Sequence, residues 1–399
     1  MSDTEHLQEN PSPDADEPSS ELAGGTLMID LRAIQANYRY LAGRVGQTEC
    51  GAAVKADAYG LGMIPVSQAL WAAGCRTFFV ALPCEGAKLR QTLPEATIYL
   101  LGGLLPGSAG YLAQHNLQPI LSSIEEIGEW AQFCRDQDRR LPAGIHVDTG
   151  INRLGLTSAQ VECLAASHKD LGAFRITLII SHLACADTPN APMNREQLAT
   201  FDRLRAMLPH ARASIANSAG TLNVPDFHYD LVRPGIALYG GKPLADRANP
   251  MKQVVSLYGT VLSVREVKAG ESVGYSATWR SERNAQIAII SVGYADGFFR
   301  CLSGSSRSER AHIFIGGQFA PVVGRVSMDM ITVDVTDVPP DFARRGGRAE
   351  LIGPHITIDD LARWAETIPY EVLTALGPRY CRLYSPYDQR QDRGSRQDL

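Results

Sequence analysis

The chain has 399 residues, of which 45% are hydrophobic and 20% are charged, and its formal net charge is −5. This size and composition allow a sizeable core and about two or three domains. No basic stripe, polybasic helix or bilayer-length apolar stretch occurs, so neither nucleic acid nor a membrane is expected as a partner.

The negative charge is concentrated at the N-terminus. Residues 1–25 contain seven acidic residues, no Lys or Arg, and many Pro and Ser. Such a segment cannot bury enough apolar surface to offset the entropy lost on ordering, so we predict a disordered acidic tail over 1–25. It lacks the basic start and apolar run of a signal peptide, and the eight cysteines include no CxxC pair. We therefore expect a reduced, cytoplasmic protein.

A repeat of one apolar run and one helical segment fills residues 26–250. The runs are short and almost continuously apolar, which is typical of parallel strands covered on both faces. In chain order they are "GAAV", "TFFVAL", "TIYLLGG", "LQPILSS", "GIHVDTG", "ITLIISHLA", "ASIANSAG" and "YDLVRPGIALYG". Eight alternating units predict a (β/α)8 TIM-like barrel, an α/β fold. A doubly wound open sheet is the alternative, and it is disfavoured because no GxGxxG opens any unit.

The pattern changes after about residue 250. Segments such as "VVSLYGTVLSVREV", "AQIAIISVGYADG" and "APVVGRVSMDMITVDV" alternate apolar and polar residues between glycines. This pattern predicts a second, mostly antiparallel β domain over 251–399, with "IDDLARWAET" as its helix.

Polar residues with catalytic chemistry follow the predicted barrel strands. Because chemistry on this fold lies where strands end, we expect one site formed by Lys55, Arg153, His182, Asn217, Ser218, Arg233, Gly235 and Ile236. Ser218 and the amides of Gly235 and Ile236 follow the seventh and eighth strands, where phosphate sites are common. A lysine facing a phosphate-bearing cofactor suggests a Schiff base with pyridoxal 5'-phosphate. His182 and Cys185 are three residues apart, but no second such pair follows, so no metal is expected.

Nine segments taken in order resemble the alanine racemase family, whose members combine a barrel with a β domain. The resemblance runs from about residue 26 to about residue 384 and includes "AAVKADAYGLG", "VDTGINRLG", "HLACAD", "ANSAG", "VRPGIALYG", "VGYSATW", "GYADG", "GRVSMD" and "IPYE". It implies a pyridoxal phosphate-dependent isomerase that interconverts L- and D-alanine.

The resemblance also implies a role for each site residue. Lys55 would bind the cofactor and act as one base, and Tyr275 would be the opposite base, because racemisation removes a proton from one face and delivers one to the other. Arg233 would donate to the pyridine nitrogen, with His182 supporting it. Arg153 and the Met328 N–H would bind the substrate carboxylate. The phosphate would be held by Tyr59, Ser218, Tyr370 and the amides of Gly235 and Ile236.

In the family, each active site is shared by two subunits. The resemblance therefore implies a head-to-tail homodimer in which Tyr275 and Met328 come from the partner. A narrow entrance to the cofactor would be lined by residues from both subunits: Asp187, Tyr294, Arg300, Arg325, Ile368 and Tyr370.

One position departs from the family pattern. Many members carry a carboxylated lysine two residues before the aspartate of "VDTG", and this chain has His146 there. Since a histidine cannot form that carbamate, we expect that none is present, that Arg153 is held by another acceptor or a bound anion, and that activity survives.

Three other functions remain open from the sequence. A racemase for serine or other amino acids would differ in its entrance residues. A basic amino acid decarboxylase of similar architecture would need acidic substrate-binding residues and a cysteine motif in its β domain. A non-catalytic pyridoxal phosphate carrier would correspond to the barrel alone and would have no use for Tyr275.

Overall fold

A computed structural model describes residues 8–9, 19–167, 169–304 and 311–389. The chain divides into two compact units. We call Ile34–Lys252 the barrel unit, and we call Gln253–Tyr387 together with the residues before 34 the β unit. Most of the predicted disordered tail lies outside the described residues. Within it, however, Gln8–Glu9 pairs with the strand Cys381–Tyr384, so this short piece is a strand, which the polar composition did not predict.

The barrel unit is built on parallel strands, and the structure confirms the predicted fold class. Its described strands are Glu49–Cys50, Ala52–Ala53, Thr77–Val80, Thr97–Leu100, Gln118–Leu121, Pro142–His146, Arg175–Ile180, Arg212–Ser214 and Leu231–Val232. The first two are halves of one strand, interrupted at Gly51. Seven strands from Ala52–Ala53 to Arg212–Ser214 form one parallel sheet.

Backbone hydrogen bonds close this sheet into a barrel. The Asp230 and Arg233 N–H groups donate to the carbonyls of Ala213 and Ala216, at 3.1 and 2.9 Å. The Gly51 N–H donates to the Val232 carbonyl at 2.9 Å, and Leu231–Val232 pairs in parallel with Glu49–Cys50. The eighth strand therefore joins the seventh to the first.

Helices cover the strands and bury their apolar faces. They are Leu31–Val45, Met63–Ala72, Pro83–Thr92, Ala109–Gln114, Ile124–Asp136, Ser158–Ser167, Pro192–Arg205 and Ser218–Leu222. Ile124–Asp136 illustrates the pattern, because its buried residues Ile127, Trp130, Ala131 and Cys134 recur at helical spacing. Ser123 caps its start by accepting the Glu126 N–H.

The β unit is mostly antiparallel, as predicted. Its longest strand, Val255–Val267, alternates buried and half-buried residues at the start, as expected of a pleated strand with one inner face. The other strands are Gly25–Ile29, Ser272–Val273, Trp279–Arg280, Ala285–Ile290, His312–Ile315, Gln318–Pro321, Ile331–Asp334, Arg348–Ile352 and Cys381–Tyr384, with helices Ile358–Trp364 and Pro369–Thr374.

The strand Gly25–Ile29 corrects the predicted start of the barrel at residue 26. It pairs antiparallel with Val255–Val267 and parallel with Cys381–Tyr384, so it belongs to the β unit. Pairing satisfies the backbone groups of this strand on both sides, whereas the barrel strands already form a closed ring.

Candidate active site

Lys55 ends the first barrel strand and begins an unusual turn. The next four residues, Ala56 to Tyr59, all have φ between 52° and 59°, in the left-handed region. This conformation costs roughly 1–2 kcal/mol per non-glycine residue. Hydrogen bonds fix the turn: the Ala58 N–H donates to the Val54 carbonyl at 2.9 Å, and the Met63 N–H donates to Asp57 Oδ1 at 2.8 Å. The lysine is therefore presented by a rigid backbone.

The surroundings of Lys55 favour its neutral amine. Burial lowers the pKa of Lys55, and the positive charges of Arg153 and Arg233 lower it further. The carboxylate of Glu85 acts in the opposite direction. A larger neutral fraction leaves more of the amine free to act as a nucleophile or to accept a proton at neutral pH.

Arg233, after the eighth strand, is buried and its guanidinium is held on two sides. Nη1 donates to Ser214 Oγ at 2.5 Å, and Nη2 donates to the Ser181 carbonyl at 2.6 Å. Burial lowers the pKa of Arg233 to about 10, so the group still keeps its proton at neutral pH. The site thus contains a fixed, permanently charged donor.

His182 is a neutral partner of Arg233. Its Nδ1 lies 3.5 Å from Arg233 Nη2. Because a guanidinium only donates hydrogen bonds, we assign Nδ1 as the acceptor. The ring proton is then assigned to Nε2. Burial, followed by the charges of Arg233, Arg153 and Lys55, lowers the pKa of His182 to about 3. The predicted support of Arg233 by His182 is consistent with this contact.

The predicted phosphate residues of the barrel unit come together. Ser218 Oγ accepts the N–H groups of Gly235 and Ala237 at 2.8 and 3.2 Å. A Cβ atom added to Gly235 would overlap Tyr59 Oη and lie 2.9 Å from Tyr59 Cζ. The Tyr59 hydroxyl therefore packs against the bare backbone at the start of the turn Ile236–Tyr239, and only glycine leaves room for it.

His146 is 5% exposed, and its ring lacks a full set of partners. Nδ1 lies 3.5 Å from Ser122 Oγ, while Nε2 has no hydrogen-bond partner among the described residues. Burial, together with Arg233, lowers the pKa of His146 to about 4, so the ring is neutral at physiological pH. Within the described part of the chain, the exposed Arg153 makes no hydrogen bond or ion pair. Its positive charge nevertheless lowers the pKa values of Lys55, His182 and His146.

A buried hydrogen-bond network, which was not predicted from the sequence, holds the loop that contains His182. Gln197 is fully buried on the helix Pro192–Arg205. Its Nε2 donates to Thr149 Oγ1 at 3.0 Å and to the His182 carbonyl at 2.9 Å, and its Oε1 accepts the Ala184 N–H at 2.8 Å. Thr149 Oγ1 and Ser181 Oγ are 2.8 Å apart. In sequence, Gln197 looked like an ordinary polar residue of an amphipathic helix.

Three predicted site residues, Tyr275, Met328 and Tyr370, lie in the β unit. Tyr275 is 68% exposed and follows Gly274, whose φ of 79° brings the chain close to the backbone of Arg325. Met328 is 53% exposed, and its carbonyl accepts the Ala295 N–H at 3.0 Å. The predicted entrance residues divide between the units: Asp187 in the barrel unit, and Tyr294, Arg300, Arg325, Ile368 and Tyr370 in the β unit.

The described residues contain no group of three or more His, Cys, Asp or Glu side chains that could hold a metal ion. Among the helices of the described ranges, none combines the length and the apolar character needed to cross a membrane.

The fold and site define a class of protein: a barrel with an attached β unit and a lysine at the end of the first strand. The sequence model described as "Alanine racemase, N-terminal domain" matches residues 29–243, and "Alanine racemase, C-terminal domain" matches residues 254–384. The chain belongs to the alanine racemase family, which confirms the resemblance seen in the sequence.

Individual relatives agree over nearly the whole chain. An alanine racemase of Methylobacterium nodulans is 48% identical over 361 residues, which cover 90% of this chain and 96% of the relative. An alanine racemase of Rhodospirillum rubrum is 46% identical, and the matched region covers 91% of this chain and 96% of the relative. The crystal structure of alanine racemase from Bartonella henselae with covalently bound pyridoxal phosphate has a TM-score of 0.86 and 42% identity, covering 91% of this chain and 99% of that one.

Proposed function

We propose that this protein interconverts L- and D-alanine with pyridoxal 5'-phosphate bound at the barrel mouth. The observation that carries the proposal is a rigidly presented, half-buried Lys55 whose pKa is lowered, at the same end of the barrel strands as the fixed guanidinium of Arg233. It occurs in a chain of the alanine racemase family.

The residues fit the cofactor. The Tyr59 hydroxyl occupies the place that a Cβ on Gly235 would take, so it packs on the bare backbone of this turn, and Ser218 already accepts amides of the same turn. Tyr59, Ser218 and the amides of Gly235 and Ile236 would hold the phosphate, joined by Tyr370. Pyridoxal phosphate, when bound, supplies an aldehyde that reacts with amines and a ring that stabilises negative charge at the substrate α-carbon.

The proton transfers fall to two side chains. Lys55 Nζ takes or gives a proton on one face of the α-carbon, which its lowered pKa favours. Tyr275 Oη, from the partner subunit, would act on the other face, and a two-base racemisation needs both groups. Arg233 keeps its own proton, so it would give the pyridine nitrogen a hydrogen bond rather than a proton. Arg153 and the Met328 N–H would bind the substrate carboxylate.

Alanine is supported over the other candidate functions. A cofactor carrier would correspond to the barrel alone, whereas the family's C-terminal domain also matches this chain. A narrow entrance formed by Asp187, Tyr294, Arg300, Arg325 and Ile368 would favour a small substrate.

The first experiment measures D-alanine formed from L-alanine by the purified chain with pyridoxal phosphate, beside Lys55→Ala. We expect D-alanine only when Lys55 is present. A wild-type chain that binds the cofactor but forms no D-alanine would contradict the proposed reaction.

The shared site has its own test. Lys55→Ala and Tyr275→Phe chains, each inactive alone, are mixed and allowed to exchange subunits. Half of the dimers should be mixed, each with one complete site, so about a quarter of wild-type activity should return. If subunit exchange is demonstrated and no activity returns, Lys55 and Tyr275 act within one chain.

A further inference from the structure

Glu85 joins the lysine loop to the next loop of the barrel. It is the third residue of the helix Pro83–Thr92, which follows the second strand. Its Oε1 accepts the Ala56 N–H at 2.6 Å, and its Oε2 accepts the N–H groups of Ala81 and Leu82 at 2.8 and 3.0 Å. Because Ala56 directly follows Lys55, one carboxylate fixes the backbone where the left-handed turn begins.

The same carboxylate acts on the charge of Lys55. The charges that act on the pKa of Lys55 are those of Arg153, Glu85 and Arg233, and the charge of Lys55 acts in turn on His182. Two of these are cations and His182 is neutral, so Glu85 supplies the opposing negative charge. Without it, burial and the arginines would act on the ammonium unopposed.

We propose that Glu85 is a positioning residue for Lys55: its carboxylate holds the backbone of the lysine turn through the Ala56 N–H and thereby keeps a negative charge next to the residue that carries the ammonium. The inference rests on the proposed function only in taking Lys55 as the cofactor lysine.

The barrel offers a matched control in Glu126. This residue is the third of the helix Ile124–Asp136, and its Oε2 accepts the N–H groups of Ser122 and Leu104 at 2.9 and 3.2 Å. It therefore joins the third and fourth loops as Glu85 joins the first and second. Glu126 is not among the groups that act on the pKa of Lys55.

Three variants separate charge from position. Glu85→Gln keeps the length of the side chain and removes its charge. Glu85→Asp keeps the charge but is one methylene shorter, so it cannot span both loops. Glu126→Gln removes an equivalent charge at the control site. In the full-length chain freed of cofactor, the pH dependence of Lys55 acylation by acetic anhydride, followed by mass spectrometry, gives the midpoint of its titration. Hydrogen exchange of the peptide containing Ala56 reports the backbone.

We expect Glu85→Gln to lower the Lys55 midpoint by about one pH unit, since a nearby opposite charge is removed. Glu85→Asp should leave the midpoint within a few tenths of a unit while speeding exchange at Ala56, and Glu126→Gln should change neither. An unchanged midpoint in Glu85→Gln, or an equal shift in Glu126→Gln, would overturn the inference. Because the midpoint is measured without cofactor, a wild-type chain that failed to racemise alanine would contradict the proposed function and leave this test of Glu85 intact.

Discussion

Gly235→Ala tests the phosphate site through a single methyl group. The new Cβ would overlap Tyr59 Oη, lie 2.9 Å from Tyr59 Cζ and lie 3.5 Å from Ala53 Cβ. Tyr59 has little room to withdraw, because it is 7% exposed and its ring centroid lies 4.7 Å from that of the buried Tyr239. The hydroxyl must therefore leave the place where it faces the turn.

The expected cost follows from this geometry. Overpacking of this kind typically costs about 1–3 kcal/mol of folding stability. Displacing the hydroxyl would also remove its proposed contact to the phosphate. We expect cofactor binding to lose only the hydrogen bond of the hydroxyl to the charged phosphate, about 1.5–3 kcal/mol, which is roughly 10- to 150-fold in Kd. The assay is a titration of the cofactor-free chain with pyridoxal phosphate, followed by intrinsic fluorescence.

Two further variants make the result specific. Gly128→Ala, on the helix Ile124–Asp136, is the control, because its Cβ would meet nothing within 4 Å. Tyr59→Phe removes the overlapping oxygen, so Gly235→Ala should cost less in that background, with a coupling of about 1 kcal/mol. If Gly235→Ala binds the cofactor within twofold of wild type, or if the two substitutions are additive, then Tyr59 and Gly235 do not form one phosphate site.

The buried network and His146 give the other predictions. Gln197→Leu leaves the Ala184 N–H and the His182 carbonyl unpaired, so it should lower the free energy of unfolding in urea by about 2–4 kcal/mol. The control Gln132→Leu, at an exposed position, should lower it by less than about 0.5 kcal/mol. Equal effects of the two substitutions would show that the network contributes nothing. The pKa of His146 is about 4 when folded and 6.5 ordinarily, so its full stabilisation is present above pH 6.5 and is lost as the pH falls towards 4. His146→Gln should therefore remove about 2 kcal/mol of the stability difference between pH 7 and pH 5, and an unchanged difference in thermal unfolding would contradict a buried neutral ring. Carbon-13 NMR in labelled bicarbonate should show no carbamate on the active wild-type chain, and a carbamate signal from a lysine braced against Arg153 would refute this.

The barrel residues of the candidate site could be predicted because strand ends are visible in the sequence. Lys55, His182, Ser218 and Arg233 each follow an apolar run, and the carboxyl ends of parallel strands must meet at one mouth. That argument needs no knowledge of side-chain contacts. The same argument covers Gly235, which was predicted for its backbone amide, whereas the close approach of Tyr59 that requires glycine there is visible only in the structure.

Other features were not readable in the same way. Glu85 and Gln197 lie on helices whose polar residues mostly face solvent, and sequence periodicity does not reveal that these two turn towards neighbouring loops. The left-handed turn after Lys55 contains Ala56 and Ala58 where glycine would be expected, so only tertiary hydrogen bonds identify it. The short strand Gly25–Ile29 carries no signal for which sheet it joins.

That strand also sets an order of events during synthesis. Gly25–Ile29 leaves the ribosome early, but its neighbours in the sheet are Val255–Val267 and Cys381–Tyr384. The described strands of the barrel unit are all made before either neighbour, so the barrel can fold while Gly25–Ile29 is still unpaired. The β unit is completed only when the last strand emerges. A nascent chain stalled before residue 381 would thus expose an unpaired apolar edge, which is the form that holdase chaperones and proteases recognise.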